Sequence, residues 1–267
     1  MSLFHIFLVA LIQGLTEFLP VSSSGHLILL PQLTGLSDQG QVIDVAVHVG
    51  TLFAVVLYFW TDVKMAAAGI PRMLTGRIDT TGARLAFLLL LTTIPVIILG
   101  FILNATGLSG TLRSMTVIGW TMIIFGIVLY LADTLFAQTK ATPEWTMKHA
   151  LIMGLWQALA LIPGTSRSGA TISGARALGY TRHDSAKLAM LMSIPTIIAS
   201  GVLLGIDVVG QADVGQMRDA AIAAAFSFVA ALLALGIMMR LLRSINFTPY
   251  VIYRIILGVV LLGIAYS

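Results

Sequence analysis

Gln13-Gly-Leu-Thr-Glu-Phe-Leu-Pro-Val-Ser-Ser-Ser-Gly-His26 and Gln157-Ala-Leu-Ala-Leu-Ile-Pro-Gly-Thr-Ser-Arg-Ser-Gly-Ala170 align without a gap at an offset of 144 residues. Leu11/Leu155, Gln13/Gln157, Leu15/Leu159, Ser22/Ser166, Ser24/Ser168, Gly25/Gly169 and Ile28/Ile172 match. Both segments lie inside apolar sequence, and both are broken by proline, glycine and clustered hydroxyls, which make a poor helix interior. Non-helical backbone at membrane depth is tolerated only where it is buried in protein or lines a wet cavity. The first copy carries a carboxylate and a histidine, and the second carries an arginine. Together they are the parts of a phosphate-handling site.

The surrounding chain is built for lipid. Of its 267 residues 58% are hydrophobic and only 10% charged, against about 25% charged in soluble domains. The composition therefore predicts a polytopic membrane protein. The net charge of +4 is no sign of a nucleic-acid partner, because basic residues in such a chain mainly report orientation. There is no cysteine, so disulfides are excluded and the redox compartment cannot be read. Met1 to Val21 lacks a basic n-region, contains Gln13 and Glu17, and has no small-residue cleavage site, which argues against a signal peptide.

Six apolar runs, near 44–60, 85–103, 116–135, 186–205, 219–239 and 250–266, approach the roughly 20 residues that a span requires. The broken stretches 5–33 and 149–173 read as half-helix pairs that re-enter without crossing. Loops then alternate sides at the six spans. One side receives Lys64, Arg72, Arg77, Arg84, Lys140, Lys148, Arg176, Arg182, Lys187, Arg240, Arg243 and Arg254; the other receives only Arg113 and Arg218. The rich side is expected to be cytoplasmic, with both termini outward. Three spans separate the broken segments, so the second enters from the opposite face. The expected fold is all-α: six transmembrane helices plus two re-entrant helix-loop-helix hairpins in an inverted-topology repeat. The halves are 1–140 (hairpin 5–33 plus three spans) and 145–267 (hairpin 149–173 plus three spans). Such repeats place a site at the midplane where the halves meet. Thr93-Ile-Pro-Val-Ile-Ile98 echoes Ser193-Ile-Pro-Thr-Ile-Ile198, and both prolines are expected to kink their spans.

Gln13 and Glu17 are spaced i, i+4 and share a helical face. A carboxylate at this depth faces a polar cavity or a partner, as a metal ligand or a general base. Ser22, Ser23 and Ser24 are expected to cap a half-helix whose free N–H groups bind an anion. Ser23 and His26, i and i+3, face one point, and a serine nucleophile needs a base such as histidine. Arg167 sits in an apolar region and needs an anion. Glu17 is one candidate, as a structural ion pair; a phosphate matches the planar guanidinium better. Ser166, Ser168 and Thr171 surround it, and Gly164 and Gly169 let backbone N–H groups approach a phosphate closely. The segment is not a Walker A loop. Asp44 and His48 share a face at the start of the first span and line the cavity or sit at the interface. Tyr253 and Arg254 fit a cytoplasmic interfacial anchor. The 12 methionines read as packing, and 61–84 carries helical and turn signals but no catalytic group.

Gln13-x-x-x-Glu17 and Pro163-Gly-x-Ser-Arg-Ser-x-x-Thr171, in this order, resemble the two motifs of the undecaprenyl-diphosphatase, or bacitracin-resistance, family. Leu19-Pro-Val-Ser-Ser-Ser-Gly-His26 and Asn246-Phe-Thr-Pro-Tyr-Val-Ile-Tyr-Arg254 are also similar to family sequence, and the likeness covers the whole chain. The resemblance implies a bacterial inner-membrane enzyme of peptidoglycan synthesis that removes the terminal phosphate of undecaprenyl diphosphate and confers bacitracin resistance. It also implies a divalent cation, Mg²⁺ or Ca²⁺, and a site opening to the periplasm. Residue by residue, Gln13 and Glu17 match the acidic, metal-holding motif, Ser23 and His26 the hydroxyl–histidine motif, and Arg167 the phosphate-binding arginine. Position 13 is Gln where many relatives have Glu, which weakens a mechanism needing two carboxylates on the metal. The expected partners are the lipid diphosphate and the bilayer, with no nucleic acid and with a homodimer allowed. A secondary transporter or lipid-carrier flippase using the same midplane phosphate site is the alternative.

Overall fold

Several helices begin where the sequence offers a side-chain acceptor. In the computed structural model, which describes residues 1–209 and 213–267 (side chains of 109 and 204–209 excepted), Ser2 caps α1 (Leu3–Thr16) and Thr80 caps α5 (Thr81–Ala105). Ser114 caps α7 (Met115–Leu135), Thr146 caps α8 (Met147–Ala158), and Asp213 caps α11 (Val214–Leu241) in a capping box with Gln216. Each accepts a hydrogen bond from an otherwise orphaned N–H of the first turn. The remaining helices are α2 (Ser23–Thr34), α3 (Gly40–Tyr58), α4 (Trp60–Leu74), the short α6 (Leu108–Thr111), α9 (Arg167–Ala177), α10 (Arg182–Val209) and α12 (Thr248–Tyr266).

The described residues contain six helices long and apolar enough to cross a membrane: α3, α5, α7, α10 to Leu203, α11 and α12. They coincide with the six apolar runs of the sequence. Phe101, Leu203, Ile237 and Ile256 are more than half exposed, as expected of side chains facing lipid rather than water. Pro95 and Pro195 lie inside continuous helices. Residues 61–84 hold most of α4, a turn and the start of α5.

The expected breaks are present. The first lies between α1 and α2, the second between α8 and α9. Ser22 (φ 73°) and Ser166 (φ 70°) are the only non-glycine residues with positive φ among the described residues. They are also matched partners of the internal repeat. Each caps the helix that follows it, accepting from Gly25 N–H and Gly169 N–H, another matched pair. Two identical hydroxyls in the same rare conformation thus start two half-helices.

Close approach of backbones holds the bundle together, as is usual where lipid removes the hydrophobic drive between helices. α3 packs along α11 at Gly50, where a methyl group would stand 2.2 Å from the Ala224 carbonyl oxygen. α1 packs on α11, and its sequence counterpart α8 packs on α5; α7 packs on both α12 and α9. Near one end, fully buried Arg176 gives Nε to Asp133 Oδ1 at 3.1 Å, and Arg182 gives Nε to the same oxygen at 2.8 Å. Asp133 Oδ2 accepts the Phe247 N–H at 3.3 Å. This hub joins α7, α9, α10 and the start of α12.

Candidate active site

The two breaks meet. Glu17, at the end of α1, takes Arg167 Nη2 on Oε1 at 2.8 Å across 150 residues of chain. Its other oxygen, Oε2, accepts from Gln13 Nε2 at 2.8 Å and from the Ser23 hydroxyl at 2.6 Å. Gln13 is fully buried and Glu17 is 7% exposed, so these charge-assisted bonds act where water screens them little. Arg167 keeps a second nitrogen, Nη1, buried and without a hydrogen-bond partner among the described residues.

The serines divide their work. Ser22 and Ser166 cap α2 and α9, and Ser166 Oγ lies 3.1 Å from Ser168 Oγ. Ser168 donates to the Leu19 carbonyl at 2.9 Å, tying the second break to the first. Ser24 is exposed and lies 3.4 Å from Ser22 Oγ. Thr171 is fully buried, with its hydroxyl on the Arg167 carbonyl at 2.8 Å, so it steadies the backbone of Arg167 rather than reaching outward. Gly164 has φ +86° and packs against Thr121, leaving no room for a side chain.

His26 does not pair with Ser23. Its Nδ1 lies 2.7 Å from the Ser22 carbonyl and its Nε2 2.6 Å from the Tyr253 hydroxyl, with the two rings stacked at 5.7 Å. A carbonyl only accepts, so Nδ1 carries the proton, and in the neutral ring Nε2 accepts from Tyr253. The i, i+3 spacing allowed a Ser23–His26 contact; the left-handed turn at Ser22 directs the histidine elsewhere. The Ser23 hydroxyl donates instead to Glu17 Oε2.

Two residues read from sequence as a cytoplasmic anchor belong here instead. Tyr253 touches His26, and Arg254 is fully buried between the breaks. The run Asn246 to Arg254 was the only sequence signal for them. His48, on α3, places Nε2 3.9 Å from Glu17 Oε2 and, with Asp44, lines a cavity of about 730 Å³. That cavity runs past Ser24, Leu27 and Ile28 on α2 to Ile197 and Ile198 on α10, with Arg113 among its polar lining. An apolar wall beside a charged end suits an amphiphilic ligand.

Among the described residues no cluster of three or more His, Cys, Asp or Glu could hold a metal ion by itself. Gln13 Oε1 is buried without a partner among the described residues, and with the Glu17 carboxylate it offers oxygen donors of the kind a hard divalent cation takes. Mg²⁺ is commonly held by one or two carboxylates together with substrate phosphates and water.

The chain matches the family model described as Bacitracin resistance protein BacA over residues 6–260. It is 71% identical, over 267 residues and the full length of both chains, to a Ruegeria pomeroyi protein named undecaprenyl-diphosphatase. A Dinoroseobacter shibae protein of the same name is 69% identical, also over the full length of both. A Maricaulis maris protein so named is 46% identical, with 98% of each chain covered.

Proposed function

The chain belongs to the bacitracin resistance protein BacA family, and on that premise we propose that it is an integral membrane phosphatase. Its substrate is undecaprenyl diphosphate, and its products are undecaprenyl phosphate and inorganic phosphate. This returns the lipid carrier to peptidoglycan synthesis and gives resistance to bacitracin. The observation that carries the reading is the junction of the breaks. A serine hydroxyl lies 2.6 Å from a buried carboxylate that is itself 2.8 Å from an arginine whose Nη1 has no hydrogen-bond partner among the described residues.

The reaction proceeds as follows. The terminal phosphate takes Arg167 Nη1 and the N–H groups at the starts of α2 and α9, where helix dipoles favour an anion, while Ser166 and Ser168, hydrogen-bonded to each other and to the Leu19 carbonyl, hold the second break in place beside it. Ser22, Ser24 and Gly164 shape the loops around it. Ser23 Oγ attacks phosphorus as its proton passes to Glu17 Oε2, and the bond to the bridging oxygen breaks, releasing undecaprenyl phosphate. Glu17 passes that proton to the departing undecaprenyl phosphate; water then attacks the phosphoserine, giving a proton to Glu17, which returns it to Ser23 Oγ as inorganic phosphate leaves. His26, expected from sequence to move that proton, instead pins the left-handed turn through the Ser22 carbonyl. Glu17 and Gln13 would hold a divalent cation, Mg²⁺ or Ca²⁺, which would supply Lewis-acid charge to the phosphate. Most of the barrier reduction comes from positioning and electrostatics, as in other phosphoryl transfers.

The broken segments act as re-entrant hairpins, and the halves 1–140 and 145–267 as an inverted repeat. The corresponding contacts of α1 with α11 and of α8 with α5, and the matched left-handed serines, support this. The protein lies in the inner membrane with both termini and the site opening periplasmic. Arg176, Arg182 and Arg254 are tied into the fold and say nothing of orientation. The nine other basic residues of the rich side, against Arg113 and Arg218, still favour this sidedness. The Glu17, Ser23 and Arg167 cluster comes from one chain, so a homodimer is not required for it.

The test is phosphate release from a polyprenyl diphosphate by the detergent-purified chain, with and without EDTA, beside Arg167→Ala. Release that needs the cation and Arg167 is expected. A folded sample that binds the lipid diphosphate and exchanges it across sealed vesicles without releasing phosphate would support the transporter reading instead.

A further inference from the structure

Arg176 and Arg254 are the largest fully buried side chains among the described residues. Arg176 has a carboxylate, Asp133. Arg254 has none. Its five hydrogen bonds all end on backbone carbonyls: Nε on Met122 at 3.2 Å, Nη1 on Pro20 at 3.1 Å, and Nη2 on Thr121, Gly164 and Thr165 at 3.4, 3.0 and 2.9 Å. Pro20 belongs to the first break, and Gly164 and Thr165 to the second. One side chain from α12 therefore holds both.

A buried guanidinium without a counter-ion is expensive. Its placement has two consequences for an anion site. A peptide unit is planar and trans, so a carbonyl aimed at Arg254 turns the next N–H the opposite way. The Thr165 carbonyl aims at Arg254, and the Ser166 N–H thus turned away has no acceptor among the described residues. The guanidinium also stands directly behind the first turn of α9: a methyl group on Gly169 would lie 2.9 Å from Nη1. There a full positive charge reinforces the partial charge of the helix N-terminus.

We propose that Arg254 is the positioning residue of the phosphate cradle: it locks the backbone of both breaks into one arrangement, points the Ser166 N–H at the anion, and supplies buried positive charge that the anion offsets. The identity of the anion, a lipid diphosphate, rests on the phosphatase reading. Arg254 touches no reacting atom; it acts through Ser166 and the two loops.

The test compares the full-length chain in detergent with Arg254→Lys and Gly169→Ala. The readouts are thermal unfolding, phosphate release from a polyprenyl diphosphate, and the inhibition constant of inorganic pyrophosphate, taken as its dissociation constant by calorimetric titration where no phosphate is released. Lysine keeps the charge but has no planar fork to span both breaks. Arg254→Lys is expected to lose about 100-fold in kcat/KM, the scale of a misplaced binding group, with the pyrophosphate inhibition constant raised about tenfold. Gly169→Ala leaves Arg254 in place and suits a helix, but crowds Nη1 and, at 3.2 Å, Ser166 Oγ; it should weaken pyrophosphate in the same direction. A folded Arg254→Lys chain with the parent's inhibition constant overturns the proposal. If that variant does not fold, Gly169→Ala with unchanged inhibition overturns it. A parent chain that binds pyrophosphate but releases no phosphate refutes the phosphatase reading alone, because the pyrophosphate comparison still decides the role of Arg254.

Discussion

Replacing Glu17 by glutamine and Ser23 by alanine, singly and together, asks whether the 2.6 Å contact between them is a working unit. Loss of a positioned general base typically costs about 10² to 10⁴ in rate. Taking about 10³ for Glu17→Gln, the barrier rises by about 4 kcal/mol. Ser23→Ala removes the group that the base serves, so its loss should be similar. The structure makes Glu17 Oε2 the acceptor of the Ser23 proton, so neither residue works without the other. The double variant should therefore stay near 10³, because residues acting as a unit are strongly non-additive. Substrate affinity should move the other way in Glu17→Gln. Arg167 loses its anionic partner at 2.8 Å and is freer to hold phosphate, so KM should stay level or fall. The assay is phosphate release from a polyprenyl diphosphate in detergent, at saturating and limiting substrate. Multiplicative losses approaching 10⁶ would refute the serine–glutamate unit. A Ser23→Ala chain with near-normal turnover would instead leave water as the nucleophile.

Asp133→Ala strands Arg176 and Arg182 and should destabilise the fold by about 3–5 kcal/mol, as breaking a buried ion pair does; thermal unfolding checks this, with turnover per folded molecule preserved. Tyr253→Phe removes one hydroxyl from a residue 44% exposed. Melting should not change, while kcat should fall about fivefold, the equivalent of one net hydrogen bond of about 1 kcal/mol. Gly50→Ala drives a methyl group to 2.2 Å from the Ala224 carbonyl and should cost about 1–3 kcal/mol as the α3–α11 crossing is forced apart; a lower yield of monodisperse protein and a lower melting temperature would report it.

The spans were readable because lipid demands long apolar runs, and the observed helices lie within a few residues of them. The breaks were readable because Pro20 with Ser22, and Pro163 with Gly164 and Ser166, interrupt apolar runs with residues of poor helix propensity, although the helices resume at Ser23 and Arg167. The Glu17–Arg167 pair was one of two readings offered for the arginine. What sequence spacing missed was contact across the fold. Arg176 counted as a positive-inside charge, yet it pairs with Asp133, 43 residues earlier. Arg254 lies close to Pro249 at the start of the last span and looked interfacial, but the packing of α12 on α7 carries it between the breaks. His26 has the right spacing to serve Ser23, and only the positive φ of Ser22 explains why it turns to Tyr253. No local pattern announces a backbone angle.

The left-handed serines bear on any effort to make a more heat-resistant form. Holding a non-glycine residue in such a conformation costs about 1–3 kcal/mol, and this chain does so at both Ser22 and Ser166. Glycine would relieve the strain and weaken a helix cap by only a few tenths of a kcal/mol. A stabilising screen would therefore be drawn to Ser22→Gly and Ser166→Gly. Those substitutions remove hydroxyls at the mouths of two half-helices. Heat resistance and turnover pull in opposite directions at these two positions, and selection for the first alone would erode the second.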